Sequence, residues 1–187
     1  MLSPHRLPGG WRPCRLTLLW YGRGVSRFCA VLTPEHIFAG LDPGHSSGAI
    51  AYCDGTGAPI GAIKLRGTAA KPLTTADLLR SLIRYAPTHA VLERVSAMPK
   101  QGVSSTFKFG WSLGCLEALL VASETPHDLV TPAQWQKVMR CRSKGDKSVT
   151  KQAAARLFPQ VEITNWNADA YLLAEYARRL YAERLGG

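Results

Sequence analysis

Residues 37–65 read IFAGLDPGHSSGAIAYCDGTGAPIGAIKL. It holds three short apolar runs, at residues 37–42, 48–53 and 59–65. Polar and glycine-containing segments separate the runs, among them an Asp-Gly pair of the kind that favours tight turns between antiparallel strands. The stretch therefore predicts an antiparallel meander of three strands.

After the meander, helical and strand patterns alternate. The expected elements are a helix from Thr75 to Tyr85 that Pro87 stops, a strand at 89–94, a helix over about 106–124, a strand at 128–132, a short helix at 133–139, a helix from Asp146 or Ser148 to Phe158, and a last helix over about 166–179. Such an order predicts an α/β fold, with a mixed sheet flanked by helices. The helix over 106–124 is apolar nearly all round, which predicts burial on two sides, in the core or at an interface.

The bulk composition is that of one globular domain. The chain has 187 residues, of which 46% are hydrophobic and 19% charged, and no apolar run approaches the roughly 20 residues that span a bilayer. Residues 1–36 differ from the rest, with five arginines and a single acid, Glu35. We expect a basic, irregular extension there and the folded domain in 37–187. A transit peptide is the alternative, and we favour the extension, in a bacterial or phage-infected cytoplasm.

The charge balance favours an anionic partner. Lys and Arg number 23 against 13 Asp and Glu, for a net charge of +10. Such an excess suits nucleic acid, although a generic basic surface gives the same number. The five cysteines are too far apart in sequence to form a zinc knuckle or a redox pair.

Two carboxylates stand at predicted strand ends. Asp42 closes the first apolar run before Pro43, where it either serves chemistry or simply forms the turn. Glu93 closes a strand that looks buried on both faces, where an unpaired carboxylate is costly. Glu93 therefore meets a metal or, alternatively, pairs with Arg94.

A third acid, Asp169, lies near the start of the last predicted helix between Ala168 and Ala170. Small neighbours let a helix approach a sheet closely, so Asp169 could reach the strand ends. The alternative is an acid favoured only by the helix dipole. Converging carboxylates bind Mg²⁺, and beside a basic surface two such ions suit phosphodiester cleavage.

Five segments together resemble the RuvC-type Holliday junction resolvases, in particular the small phage-encoded members. They are FAGLDPGHSSGAIAY, AVLERVSAMPKQGVSSTFKFG, LVTPAQWQKVM, DKSVTKQAAARLFP and ADAYLLAEYARR, in the order of the family. The resemblance implies an RNase H-like fold, a homodimer, two Mg²⁺ or Mn²⁺ ions per active site, and nicking of four-way and other branched DNA. It implies that Asp42, Glu93 and Asp169 are the catalytic, metal-binding acids.

One position departs from the pattern. Phage members commonly carry a further Asp one turn before the acid that matches Asp169, and here that position is Asn165. An amide oxygen can bind a metal, but without charge and more weakly. Asn165 is therefore either a weak metal ligand or a helix cap.

The resemblance also implies basic residues near the scissile phosphate. The candidate DNA-binding residues are Lys100, Lys108, Lys144, Lys147 and Lys151. A solvated surface is the alternative for Lys144, Lys147 and Lys151. Lys100 and Lys108 flank a glycine-containing loop directly after Glu93 that is well placed to touch DNA. Phe107, Phe109 or Met98 could open the junction, although core or dimer contacts suit the two phenylalanines better.

Three functions fit these observations. The first is a magnesium-dependent endodeoxyribonuclease that nicks four-way and other branched junctions. The second is a junction-binding protein of weak activity, which the Asn165 departure suggests. The third is an RNase H-like nuclease acting on RNA–DNA hybrids, against which only the order of the five segments argues.

Overall fold

The computed structural model of the chain describes residues 32–44, 48–66, 74–96, 102–142 and 145–186. The predicted extension lies almost wholly outside these residues, as do Met98, Lys100 and Lys144. The division into an extension and a nuclease domain therefore stays a prediction.

The described residues contain five strands and five helices. The strands are β1 (Ile37–Asp42), β2 (Ala49–Asp54), β3 (Pro59–Lys64), β4 (His89–Glu93) and β5 (His127–Val130). The helices are α1 (Thr75–Tyr85), α2 (Val103–Ala122), α3 (Pro132–Val138), α4 (Lys147–Leu157) and α5 (Ala168–Gly186). The predicted α/β architecture is confirmed.

One mixed sheet holds all five strands, in the order β3-β2-β1-β4-β5. β1, β2 and β3 pair antiparallel, as the meander predicts, whereas β4 runs parallel to both β1 and β5. The turn between β2 and β3 follows from its sequence. The Asp54 carboxylate accepts from the amides of Thr56 at 2.9 Å and Ala58 at 3.0 Å, and Gly57 takes a φ of 88° that suits glycine.

Helices cover both faces of the sheet. Phe38 of β1 packs into a core shared with α3, α4 and α5. Its neighbour Ala39 points to the opposite face, into a core with Leu82 of α1 and Leu120 of α2. This alternation along a strand is what separates the two cores. The fold therefore has three layers. The sheet is the middle layer, α1 and α2 cover one face, and α3, α4 and α5 cover the other.

α5 lies against β1 with backbone touching backbone. A Cβ atom added to Gly40 would stand 2.2 Å from the carbonyl oxygen of Ala170 and 2.2 Å from the amide nitrogen of Ala174. Only glycine leaves room for this approach. Gly40 therefore sets the depth at which the first turn of α5 meets the sheet.

Some element ends differ from the prediction. The strand expected at 128–132 ends at Val130, because Thr131 and Gln134 form a capping box and Pro132 takes the first helical position. Asp146, rather than Ser148, caps α4 through a bond from the Ser148 amide at 2.8 Å. α5 starts later than expected and continues to Gly186.

The prediction that α2 is buried on two sides is wrong within a single chain. Its buried residues, Leu116, Leu119 and Leu120, lie in the C-terminal half, which packs beside α1. Phe107 and Trp111 in the other half are exposed. A core role for that half of α2 is thereby excluded, and the surface use of its apolar residues stays open. No described helix combines the length and apolarity needed to cross a membrane.

Candidate metal and active site

Asp42 and Glu93 end neighbouring parallel strands. Leu41 of β1 pairs with Leu92 of β4, so the next residue on each strand emerges at the same edge of the sheet. Asp42 follows Gly40 by two positions, and it therefore faces α5 as Gly40 does. The Asp42 carboxylate also accepts from the Gly44 amide at 3.0 Å, so the turn role expected for it exists alongside any chemistry.

Asp169 reaches the same point from the helix. It lies in the first turn of α5, one residue before the Ala170 carbonyl that covers Gly40. Asp42 and Asp169 are only 7% and 6% exposed. Burial, reinforced by the carboxylates of Glu93 and Asp169, raises the pKa of Asp42 to about 7. The structure thus brings the three predicted acids to one edge of the sheet, close enough for Glu93 and Asp169 to raise the pKa of Asp42.

Glu93 is held by a residue that the sequence reasoning missed. The indole Nε1 of Trp135, a fully buried residue of α3, donates to Glu93 Oε1 at 2.9 Å. Burial raises the pKa of Glu93, and this hydrogen bond opposes that rise. In the described residues the partner of the Glu93 carboxylate is Trp135, not Arg94, so the alternative of a simple ion pair is not observed. From the sequence, a tryptophan in a short helix is most simply interpreted as a core residue. The pairing of β4 with β5 is what places Trp135 beside Glu93.

Lys147 contacts one of the three acids directly. It is the first residue of α4, and its Nζ pairs with Asp169 Oδ2. Burial alone would lower the pKa of Lys147, but the carboxylates of Asp169, Asp42 and Glu93 raise it. Lys147 was expected to contact DNA, and the structure places its charge at the acids.

The residues present fit a hard divalent cation. Asp169 Oδ1 is buried and has no hydrogen-bond partner in the described structure, although a buried carboxylate oxygen needs a donor or a cation. Carboxylate oxygens are the ligands that Mg²⁺ and Mn²⁺ prefer. In the described conformation, no group of three or more His, Cys, Asp or Glu side chains is already arranged to hold a metal. Asp42, Glu93 and Asp169 are the residues that would hold one.

The remaining predicted residues that the structure describes are exposed. Asn165 is exposed in the turn before α5, and the asparagine whose side chain bonds to the backbone of this turn is Asn167. The Asn167 Oδ1 accepts from the Thr164 amide at 2.7 Å and its Nδ2 donates to the Glu162 carbonyl at 3.0 Å. Lys108 on α2 and Lys151 on α4 are exposed.

Replacing Trp135 should change the ionisation of Glu93. Trp135→Phe keeps an aromatic ring but removes the donor that stabilises the carboxylate, so the pKa of Glu93 should rise further. Glutamate-selective ¹³C NMR titration of the metal-free protein measures this pKa. Trp166→Phe removes a partly buried indole of the same core and should leave Glu93 unchanged. An equal Glu93 pKa in the native protein and in Trp135→Phe would contradict the role of the indole.

Comparison with known proteins adds fold relatives only. No family model and no curated protein matches the sequence. A structure of Thermus thermophilus RuvC is 18% identical and superposes with a TM-score of 0.60, covering 80% of this chain and 96% of that one. T. thermophilus RuvC in complex with a Holliday junction substrate is 17% identical with a TM-score of 0.62, covering 81% and 96%. With its five-stranded mixed sheet between helices, the chain has the RNase H-like fold of RuvC.

Proposed function

We propose that the chain is a structure-selective endonuclease that nicks four-way and other branched DNA by metal-assisted phosphodiester hydrolysis. The observation that carries the proposal is the meeting of three carboxylates at one edge of an RNase H-like sheet. Asp42 and Glu93 come from adjacent parallel strands, and Asp169 comes from a helix packed on glycine. One oxygen of Asp169 has no hydrogen-bond partner among the described residues.

Each acid has a role in this proposal. Asp42, Glu93 and Asp169 would hold two Mg²⁺ ions, or Mn²⁺ in their place, with Asn165 as a weaker neutral ligand. Two bound ions supply activation of water and charge stabilisation on the leaving oxygen. Trp135 fixes Glu93 through its indole N–H. The sheet and α5 supply rigid attachment, which holds the carboxylates in place before the substrate arrives.

The DNA partner is supported by charge and by the fold relatives. A net charge of +10 favours a polyanion, and one of the relatives is solved with a Holliday junction substrate. Lys108, Lys147 and Lys151 are the described candidates for phosphate contacts, and Lys100 and Lys144 are proposed from the sequence alone. The order of the five sequence segments supports the small phage-encoded type of resolvase, acting in the cytoplasm of a bacterial or phage-infected cell.

A homodimer would give the two active sites that paired nicks require. The exposed half of α2 offers a surface for it, because Val103, Phe107 and Trp111 follow one another at intervals of four and so share one helix face. They are 87%, 75% and 62% exposed. Adjacent large apolar side chains on a surface mark contact sites, and we propose that this face pairs with its copy.

A charge in that face should break the dimer. Trp111→Glu would bury two carboxylates against an apolar partner, so its mass in solution should fall from twice 20.4 kDa to 20.4 kDa. Size-exclusion chromatography with light scattering measures the mass. Ile83→Glu is the matched control, since Ile83 on α1 is also 62% exposed, and it should leave the dimer intact. A native protein of 20.4 kDa across micromolar concentrations would refute the proposed pairing.

A substrate panel tests the function. The purified protein is incubated with a labelled four-way junction, a linear duplex and an RNA–DNA hybrid, each with Mg²⁺ and with EDTA. Mg²⁺-dependent cutting of the junction alone supports the proposal. Tight junction binding without cutting would indicate a weakly active binding protein, and preferential cutting of the hybrid would indicate an RNase H activity.

A further inference from the structure

The ammonium group of Lys147 binds the same carboxylate oxygen that a bound metal ion would use. Its Nζ lies against Asp169 Oδ2, and its charge also acts on Asp42 and Glu93. Lys147 is the first residue of α4, which Asp146 caps through a bond from the Ser148 amide. The Lys147 side chain is 58% exposed, and its ammonium can therefore leave for water without a change of fold.

The two oxygens of Asp169 are in different states. Oδ2 is neutralised by Lys147, whereas Oδ1 is buried with no hydrogen-bond partner among the described residues. One oxygen of this carboxylate is paired with a largely exposed ammonium, and the other has no donor. Such a carboxylate can still accept a second cation. The lysine thus offsets part of the repulsion among the acids without filling the site.

We propose that Lys147 is the resident counter-ion of the acid cluster, and that a divalent ion must displace its ammonium from Asp169 in order to bind. This inference rests on the proposed function, because it assumes that the cluster binds a metal. Lys147 then weakens metal binding, since part of the binding free energy is spent on breaking the ion pair. The same contact stabilises the metal-free protein by offsetting part of the repulsion among the three carboxylates.

Mn²⁺ binding to the DNA-free full-length chain, followed by calorimetry, tests the displacement. Lys147→Gln should bind Mn²⁺ about fivefold more tightly than the native protein, the factor that corresponds to a partly exposed ion pair of about 1 kcal/mol. Lys147→Arg keeps the cation and should bind about as the native protein does. Arg156→Gln removes an exposed charge from the same helix and controls for net charge. Its affinity should change by less than about twofold.

A double-mutant cycle separates a direct contact from a general charge effect. In an Asp169→Asn background, Lys147→Gln should no longer tighten Mn²⁺ binding, because the ion pair it breaks is already gone. Thermal unfolding of each metal-free variant shows that it is folded. Equal or weaker Mn²⁺ affinity of Lys147→Gln, or the same gain in both backgrounds, would overturn the role of Lys147 alone. No Mn²⁺ binding by the native protein would overturn the proposed function with it.

Discussion

Asp42→Asn is expected to abolish cleavage while leaving junction binding intact. The carboxylate that faces both Glu93 and Asp169 becomes a neutral amide, and metal assistance worth several kcal/mol is lost. The rate constant should therefore fall by at least about a thousandfold, which corresponds to roughly 4 kcal/mol. Single-turnover cleavage and gel-shift binding of the same junction measure the two effects. Undiminished cutting by Asp42→Asn would remove Asp42 from the active site.

The stability of the same variant shows that the loss is chemical. Burial raises the pKa of Asp42 from 3.8 to about 7, so the folded state holds its proton more tightly than the unfolded state does. The contribution of Asp42 to metal-free stability is then present below pH 4 and is lost as the pH rises through about 7. Asp42→Asn removes the buried charge, and at pH 8 its melting temperature without metal should exceed that of the native protein. A lower melting temperature would indicate that the amide disturbs the fold.

Gly40→Ala is expected to have the largest effect on the fold. The new methyl group would stand 2.2 Å from backbone atoms of α5, at Ala170 and Ala174, and backbone cannot move aside as a side chain can. Overpacking of this kind costs about 3 kcal/mol or more, which corresponds to a fall of about 10 °C in melting temperature. Because α5 carries Asp169, metal binding should weaken as well. Calorimetric melting and Mn²⁺ titration measure both.

Gly61 provides the matched control for Gly40. It lies in β3 of the same sheet, and a Cβ atom there meets nothing within 4 Å. Gly61→Ala should therefore be neutral or slightly stabilising, since alanine restricts the unfolded chain more than glycine does. Similar melting temperatures for the two variants would contradict the proposed backbone contact at Gly40.

The meander could be predicted because residues close together in the sequence specify its turns. Asp54 and Gly57 specify the turn between β2 and β3 through their own side-chain chemistry and backbone conformation. The strand-end positions of Asp42 and Glu93 were readable for the same reason, since each acid directly follows an apolar run. Their shared edge depends on the parallel pairing of β1 with β4, which the structure supplies.

Contacts between distant segments could not be read from the sequence. Trp135 reaches Glu93 across 42 positions, and Lys147 reaches Asp169 across 22. Both depend on how α3, α4 and α5 pack on one face of the sheet. The sequence did not predict that the N-terminal half of α2 is exposed. An apolar helix has the same composition whether the core of its own chain or a second molecule covers it.

Cleavage of an end-labelled four-way junction by the native protein, in Mg²⁺ and in EDTA and read strand by strand on a denaturing gel, tests the proposed function most directly. We predict Mg²⁺-dependent nicks at symmetric positions in two opposing strands close to the branch, with a linear duplex of the same sequence left intact. Nicking that persists in EDTA, or equal cutting of junction and duplex, would contradict a metal-dependent junction nuclease built on Asp42, Glu93 and Asp169.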